Sequence, residues 1–377
     1  MKFSKSVEIL ILTFLLFFSS VMNLGVMNLS IALAFLLVAG FVFGAKFSIY
    51  PFILFLLFYF LIAYPLAFSQ FKIEEPAYIG SLVYCFTIIC TFFVIRAVKE
   101  NTLLKALRYV IIFHCGAVVL QFFTFLLFGK YIDLHNYITF FSYESRPESN
   151  SLSGWGLIRP TGFLVEPSNV AALITFFNVI YLSIVRKFDS FFVKVQLCTF
   201  LTLSFAAIGI SSLILMVVLF NYSINQVDKF KKTIAVATII LILVISIFVF
   251  YWRVYIAVDY DSLAYRMVIL RFFQSISLES LLFGHGILIS KYPLLVEGVY
   301  LNNSHFRDVG FFVNSIFSFG TILTFIFILF SFFCNKWFVF FTLIIALFSK
   351  FDYMQPIFWF ALMFYFFWRY DRRYECR

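Results

Sequence analysis

This sequence is organised around one run, Leu157-Ile158-Arg159-Pro160-Thr161-Gly162-Phe163-Leu164-Val165-Glu166-Pro167-Ser168, which ends a polar segment of forty residues, 129–168. A long apolar stretch follows at once. Most loops in compact proteins are only a few residues long, and long ones are usually functional or disordered. We therefore expect this segment to carry Arg159 and Glu166 to the end of a membrane helix.

The rest of the chain is dominated by apolar residues. Of its 377 residues, 63% are hydrophobic and only 12% are charged, and the mean hydropathy is +1.02. Repeated apolar runs of about 20 residues indicate transmembrane helices. We predict an all-α polytopic integral membrane protein that forms a single membrane domain over residues 1–377. Its twelve predicted spans cover residues 7–23, 27–45, 48–69, 77–95, 109–128, 168–185, 190–206, 209–224, 233–252, 309–332, 337–349 and 357–369.

Lysine and arginine are distributed unevenly along the predicted loops. With both termini in the cytoplasm, the inner segments and span ends hold 18 of the 28 basic residues but only 6 of the 18 acidic ones. This agrees with the positive-inside rule. The net charge of +10 is thus explained by membrane topology and predicts no nucleic-acid partner. The two long polar loops, 129–167 and 253–308, are then both outside the cytoplasm, and we expect them to form the active site together.

The second polar loop is predicted to be partly ordered. Asp261 and Ser262 are residue types that cap helices, and they predict a short helix that ends near Ser275. The apolar residues of this helix should lie against the membrane surface or the helix bundle. The run Gly284-His285-Gly286 predicts the end of the following segment.

Arg159 is the strongest candidate for a functional group in the first loop. An arginine carries a permanent positive charge and a planar fork of donors that fits phosphate oxygens. Pro167 suits the first turn of the following helix, whose positive end would face the same place as Arg159. The arrangement suits a diphosphate, although an arginine that reaches to lipid headgroups gives the same pattern. Glu166 is either a carboxylate favoured by the helix dipole, a general base, or a group that orients Arg159.

Arg266 and Arg271 are the corresponding cations in the second loop. Side chains five residues apart on a helix differ in direction by about 140°, so we expect Arg266 to face the interior and Arg271 to meet phosphates of lipid or substrate. His285 and His305 carry imidazoles that titrate near neutral pH and can accept a proton from a sugar hydroxyl, or they are simply polar loop residues. Asp308 precedes the tenth predicted span, where its default role is a helix N-cap.

The sequence lacks the motifs of several classes of enzyme. The sequence contains no Walker loop, no zinc-ligand spacing and no Ser-His-Asp hydrolase pattern, and it predicts no metal and no cofactor. It also has no cytoplasmic domain for a nucleotide. Any chemistry at the outer face therefore needs a substrate that arrives already activated, and sugars on a lipid diphosphate meet this demand because the leaving diphosphate supplies the energy.

Three short segments that follow one another along the chain resemble one known family. They read Arg159-Pro160-Thr161-Gly162-Phe163 with Glu166-Pro167-Ser168, then Arg266 with Leu281-Leu282-Phe283-Gly284-His285-Gly286, and then Asp308-Val309-Gly310-Phe311-Phe312 with Gly320. These are similar to the Arg-x-x-Gly-Phe … Glu-Pro, Arg … Pro-Leu-x-Gly-x-Gly and Asp-x-Gly … Gly patterns of the O-antigen polymerases (Wzy) and the related O-antigen ligases. Leu281 stands where relatives often have proline. The resemblance covers the whole architecture of twelve spans and two large periplasmic loops.

The resemblance implies metal-independent glycosyl transfer at the periplasmic face of the bacterial inner (cytoplasmic) membrane. A growing glycan would leave its undecaprenyl diphosphate carrier and join the terminal sugar of a new lipid-linked oligosaccharide repeat unit. Arg159 and Arg266 would hold the donor diphosphate, and Glu166, His305 or Asp308 would take the acceptor proton. Chain length in this family depends on a partner, a chain-length-determinant co-polymerase.

Two other functions remain open at this point. An O-antigen ligase, which transfers the glycan to lipid A-core, belongs to the same family and typically carries a histidine before the late span, where His305 stands. A lipid-linked oligosaccharide flippase is a different class. Transport favours ionisable groups within the spans and approximate repeat symmetry, whereas the charges here concentrate in the outer loops.

Overall fold

The structure is a computed structural model of the chain, and it forms two compact units. The first unit comprises Met1–Ala106, Asp261–Asn335 and Lys350–Arg377, and the second comprises Leu107–Tyr260 and Lys336–Ser349. The residues that the structure describes are 4–21, 36–44, 94, 97–138, 144–145, 158–185, 189–225, 228–255, 262–285, 294–301, 303–334 and 337–350.

The described residues are mostly helical. The helices are α1 (Lys5–Val21), α2 (Glu100–Phe128), α3 (Leu134–Ile138), α4 (Pro167–Val185), α5 (Ser190–Phe200), α6 (Phe205–Asn225), α7 (Lys229–Tyr255), α8 (Ser262–Ser275), α9 (Leu278–Phe283), α10 (Asn303–Val309), α11 (Phe311–Cys334) and α12 (Trp337–Leu347). Strands β1 (Leu294–Val296) and β2 (Val299–Leu301) form a small antiparallel hairpin between α9 and α10.

Four of these helices are long and apolar enough to cross a membrane, namely Glu100–Phe128, Pro167–Val185, Ala206–Asn225 and Phe311–Leu329. Their outward surfaces are apolar as well: Phe128, Phe220 and Phe325 are largely exposed. Water disfavours such surfaces, whereas lipid chains accept them. The predicted fold class, an α-helical membrane protein, is confirmed at this level, and the total of twelve spans stays a prediction.

Five predicted spans lie wholly or partly outside the described residues: 7–23, 27–45, 48–69, 77–95 and 357–369. The proposed capping residue Asp261 and the glycine at position 286 also lie outside them. The short helix predicted to begin after Asp261 agrees with α8, which ends at Ser275 as expected.

Helix α4 is the centre of the second unit. Almost all of its side chains are buried, and it packs against α5, α6 and α12. The fully buried amide of Asn178 donates to the Phe192 carbonyl at 2.9 Å and to the Gln196 Oε1 at 3.0 Å. Polar groups in an apolar interior need partners, so these bonds fix α5 against α4.

A second polar contact joins three helices of this unit. The Arg108 guanidinium on α2 donates to the Tyr181 hydroxyl on α4 at 2.6 Å and lies 3.5 Å from the Asp189 carboxylate, which caps α5. The same guanidinium stacks over the rings of Tyr181 and Phe191, with centroid distances of 5.2 and 5.1 Å. Such cation–π contacts favour arginine over lysine.

The predicted break between the seventh and eighth spans was wrong in position. The predicted spans 190–206 and 209–224 place it after residue 206, but α5 ends at Phe200 and α6 begins at Phe205. The cause is local hydrogen bonding: the Thr202 hydroxyl donates to the Thr199 carbonyl at 2.7 Å and accepts from the Ser204 N–H at 3.4 Å. Hydroxyl side chains that bond the backbone compete with the helical ladder. The resulting α5 has 11 residues, about 16 Å, which is too short to cross a bilayer core of ~30 Å.

The first unit contains an aromatic core. Ile269 and Phe272 on α8 pack against Leu301 of the hairpin, Phe306 on α10 and Phe317 on α11. The rings of Phe306 and Phe317 stack with centroids 4.0 Å apart. This core holds the described helices of the second polar loop against the start of α11, so the described part of that loop is ordered, as predicted.

Helix α11 is kinked at Gly320, whereas we predicted one continuous span over 309–332. Gly320 has φ 79° and ψ 170°, outside the helical region. A Cβ atom at this position would overlap the Leu282 carbonyl oxygen, and one at Gly284 would lie 2.6 Å from the Ser318 carbonyl oxygen. The backbones of α9 and α11 therefore meet at two glycines, and no side chain fits between them.

This close backbone crossing predicts that any side chain at Gly320 strongly destabilises the fold. Gly320→Ala should lower the free energy of unfolding by about 3 kcal/mol, because backbone strain and a steric clash combine. The free energy of unfolding is measured by detergent titration of the purified protein.

Two other glycines serve as controls for this prediction. Gly129 has φ 63° and open space around it, so Gly129→Ala should cost only about 1 kcal/mol of strain. Gly116 has neither constraint and should tolerate alanine. Equal stability of the Gly320→Ala and Gly129→Ala proteins would contradict the close crossing.

Candidate functional site

Glu166 and Pro167 form the start of α4. The helix begins at Pro167, as the sequence predicts, and the Glu166 carbonyl accepts from the N–H groups of Asn169 and Val170 at 3.1 and 3.3 Å. The Glu166 carboxylate is half-buried and accepts from the Ser168 hydroxyl at 3.3 Å. It thus lies at the positive end of a 19-residue helix, where a negative charge is stabilised.

Arg159 lies in the irregular segment 158–166 that leads into this helix. Its side chain is half-buried, between the buried residues Ile158 and Pro160.

Gln121, a fully buried residue of α2, holds this segment in place. Its Oε1 accepts from the Gly162 N–H at 2.7 Å, and its Nε2 donates to the carbonyls of Ile132 at 2.8 Å and Gly162 at 3.2 Å. One side chain thus bonds both the N–H and the carbonyl of Gly162. Gly162 has φ 58°, and an added Cβ would lie 2.9 Å from Val170, so a larger residue would push the segment away from α4.

Two residues of the loop after α2 complete this support. The Tyr131 hydroxyl lies 2.6 Å from the Thr161 hydroxyl and 3.0 Å from the Ser145 hydroxyl. The buried His135 bonds through Nδ1 to the Phe163 carbonyl at 2.9 Å. Burial raises the pKa of Tyr131, so its hydroxyl keeps its proton at neutral pH. We call Gln121, Tyr131 and His135 the loop clamp.

The variant Gln121→Leu tests whether the loop clamp holds the segment 158–166 in place or only stabilises the fold in general. Gln121→Leu leaves one N–H and two carbonyls without the bonds that Gln121 made, at roughly 1–3 kcal/mol each. The Gly162 amide should therefore exchange hydrogen at least about tenfold faster, as measured by hydrogen-exchange mass spectrometry of a peptide covering 158–166.

Gln196→Leu is the matched control, because Gln196 is an equally buried amide of the same unit that bonds α4 rather than the loop. It should leave the exchange of Gly162 unchanged. If Gln121→Leu also leaves it unchanged, Gln121 does not hold the segment.

The first unit brings a second set of charged groups together. The Arg266 Nη2 on α8 donates to the main-chain carbonyl of Asp308 at 3.3 Å. The Asp308 carboxylate on α10 pairs with the Lys350 ammonium at 3.3 Å. Three chain segments that are far apart in sequence therefore meet at Asp308, directly before α11.

Arg271 points elsewhere, as its 140° offset from Arg266 predicts. Its guanidinium is 59% exposed and lies 3.4 Å from the Glu297 carboxylate in the hairpin turn. Such an exposed pair contributes little to stability. His305 is half-buried on α10, three residues before Asp308, and residues at this spacing share one face of a helix.

His285 lies against the aromatic core of the first unit. Its ring stacks on Phe317 with a centroid distance of 5.1 Å and meets the edge of Phe272 at 5.7 Å. Its backbone N–H donates to the Phe317 carbonyl at 2.7 Å. Burial lowers the pKa of His285 from its usual 6.5, so the imidazole is neutral at neutral pH.

Among the described residues, no group of three His, Cys, Asp or Glu side chains is placed to hold a metal ion. The charged groups available for chemistry there are the cations and carboxylates named above. The cations can bind an anionic ligand, and the carboxylates can accept a proton.

Sequence reasoning missed Gln121 and Lys350. A glutamine within an apolar run is a detectable signal, because a buried amide needs partners. Lys350 had a weaker signal, a lone cation between two apolar runs on the predicted outer side.

Comparison with protein-family models, with curated proteins and with solved structures gave no match to this chain. The functional argument therefore rests on the residues and their geometry.

Proposed function

We propose that this protein is a surface-polysaccharide polymerase of the O-antigen type. It joins oligosaccharide repeat units carried on undecaprenyl diphosphate by glycosyl transfer, at the periplasmic face of the bacterial inner membrane. In this proposal the chain crosses the membrane an even number of times, with both termini in the cytoplasm, and a co-polymerase sets the chain length.

One observation carries the proposal. Two of the three segments that resemble the polymerase family, far apart in sequence, are in direct contact within the first unit. The Arg266 guanidinium bonds the Asp308 carbonyl, and the Gly284 backbone lies against the Gly320 backbone. These contacts between motif residues support the resemblance.

The proposed reaction needs a cation for the leaving group and a base for the acceptor. The acceptor hydroxyl oxygen forms a bond to the anomeric carbon of the donor glycan, and the bond from that carbon to the diphosphate oxygen breaks. Arg159 and Arg266 would bind the diphosphate and stabilise the negative charge that develops on it. Arg271 and His285 would contact substrate nearby.

Three groups are candidates for the base that takes the acceptor proton. Glu166 lies at the start of α4, and its carboxylate accepts a hydrogen bond from the Ser168 hydroxyl. Asp308 is held by Lys350. His305 lies on the same helix as Asp308, and a histidine in this place also fits the ligase, the second candidate function.

The proposal is tested in a strain that lacks the gene, by gel analysis of its lipopolysaccharide. A polymerase defect gives core that bears a single repeat unit, because flipping and ligation still work. Core without any repeat unit would contradict the polymerase. Polymer that accumulates on the lipid carrier would then indicate the ligase, and single units retained inside would indicate the flippase.

Complementation of this strain tests the arginines. Arg159→Ala and Arg266→Ala should each reduce chain extension by about 100-fold or more, the usual effect of removing a group that stabilises a developing anion. Lys130→Ala removes an exposed cation of the same predicted outer side and should restore the full ladder. Membrane levels of each variant are compared by immunoblot. Normal long chains from the Arg266→Ala protein would contradict the assigned role.

A further inference from the structure

Lys350 is a cation in an unusual environment. Its side chain is only 16% exposed, and its ammonium lies 3.3 Å from the Asp308 carboxylate, which is 40% exposed. Removing an ammonium from water is costly, and lysine is rarely buried unless it is paired. The chain accepts this cost at the residue where Arg266 also binds.

The two cations use different atoms of Asp308. Arg266 donates to the main-chain carbonyl, which is neutral, whereas Lys350 pairs with the carboxylate. Among the described residues, one carboxylate and two cations therefore meet at this position, and the carboxylate pairs with Lys350. An anion with several oxygens can contact a lysine and an arginine at once, because lysine binds phosphate as a point charge and arginine binds it as a fork.

We infer that Lys350 is a further ligand of the donor diphosphate and that it exchanges the Asp308 carboxylate for a phosphate oxygen when the donor binds. The inference rests on the proposed function, which supplies the donor diphosphate and the glycosyl transfer. The exchange has a chemical consequence: the Asp308 carboxylate loses the Lys350 ammonium at the moment when a base is needed.

The exchange places Asp308 in the reaction as follows. The acceptor hydroxyl oxygen bonds to the anomeric carbon, its proton moves to the freed Asp308 carboxylate, and the electron pair of the broken carbon–oxygen bond remains on the diphosphate. The departing diphosphate is held by Lys350 and Arg266. Its release lets Asp308 lose the proton to water and pair with Lys350 again.

The inference makes Asp308 and the diphosphate competitors for one ammonium. Asp308→Asn removes the competitor but keeps the main-chain carbonyl that Arg266 uses, so the affinity for inorganic pyrophosphate should rise by about threefold to tenfold. Lys350→Ala should lower this affinity by about tenfold, the effect of one charge-assisted hydrogen bond. Lys350→Arg keeps the charge and should stay near the wild-type value.

The experiment is isothermal titration of the purified full chain in detergent with inorganic pyrophosphate. Lys130→Ala is the matched control for loss of one positive charge, and the unfolding temperature of each variant is recorded. The double variant Asp308→Asn/Lys350→Ala should bind as weakly as Lys350→Ala alone, because the gain in the single Asp308 variant requires Lys350.

Each outcome decides the inference. Tighter binding by Asp308→Asn, abolished in the double variant, supports the exchange. Weaker or unchanged binding by Asp308→Asn overturns it and leaves a purely structural ion pair, as does wild-type affinity in Lys350→Ala. The proposed function fails separately: if the affinities follow the prediction but a strain without the gene makes normal long chains, the site binds diphosphate for another reaction.

Discussion

The contact between Gly284 and Gly320 is the constraint on which the first unit depends. A residue with φ 79° cannot continue an α-helical ladder, so the kink at Gly320 disturbs the bonds of the preceding turn. An unpaired carbonyl is costly in an apolar interior, and here the Phe317 carbonyl accepts from the His285 N–H at 2.7 Å. The same bond places the His285 ring on Phe317, and the aromatic core then positions α8 and α10, which carry Arg266 and Asp308.

In the second unit, a side chain bonds the backbone polar groups that lie in apolar surroundings. Its loop segment 158–166 lies beside apolar helices, and the peptide of Gly162 is satisfied by the single amide of Gln121. This support leaves Arg159 and Glu166 on a segment with a defined path into α4. Charged groups are scarce in the chain, and several of those described on or near the predicted outer side have polar contacts or lie at a helix start. A preorganised set of cations and carboxylates is what transfer from a lipid diphosphate requires.

Much of this arrangement was predictable, and the failures have physical causes. Hydropathy gave the helical membrane fold, Pro167 gave the start of α4, and the 140° offset separated Arg271 from Arg266. The break between α5 and α6 was misplaced because hydroxyl–backbone bonds around Thr202, rather than low hydropathy, end the helix. The kink in α11 was missed because a lone glycine in an apolar run also fits a continuous helix. Lys350 was missed because its pairing with Asp308 depends on tertiary contact.

The central claim is that this chain alone extends a glycan by using lipid diphosphate as the leaving group. The most direct measurement is chain growth in proteoliposomes that contain only the purified protein and undecaprenyl-diphosphate-linked repeat units, with no nucleotide sugar and with a chelator present. The account predicts a ladder of lipid-linked oligomers, with one undecaprenyl diphosphate released for each bond formed. Repeat units that stay monomeric, while the protein retains its folded helical content, would contradict the account.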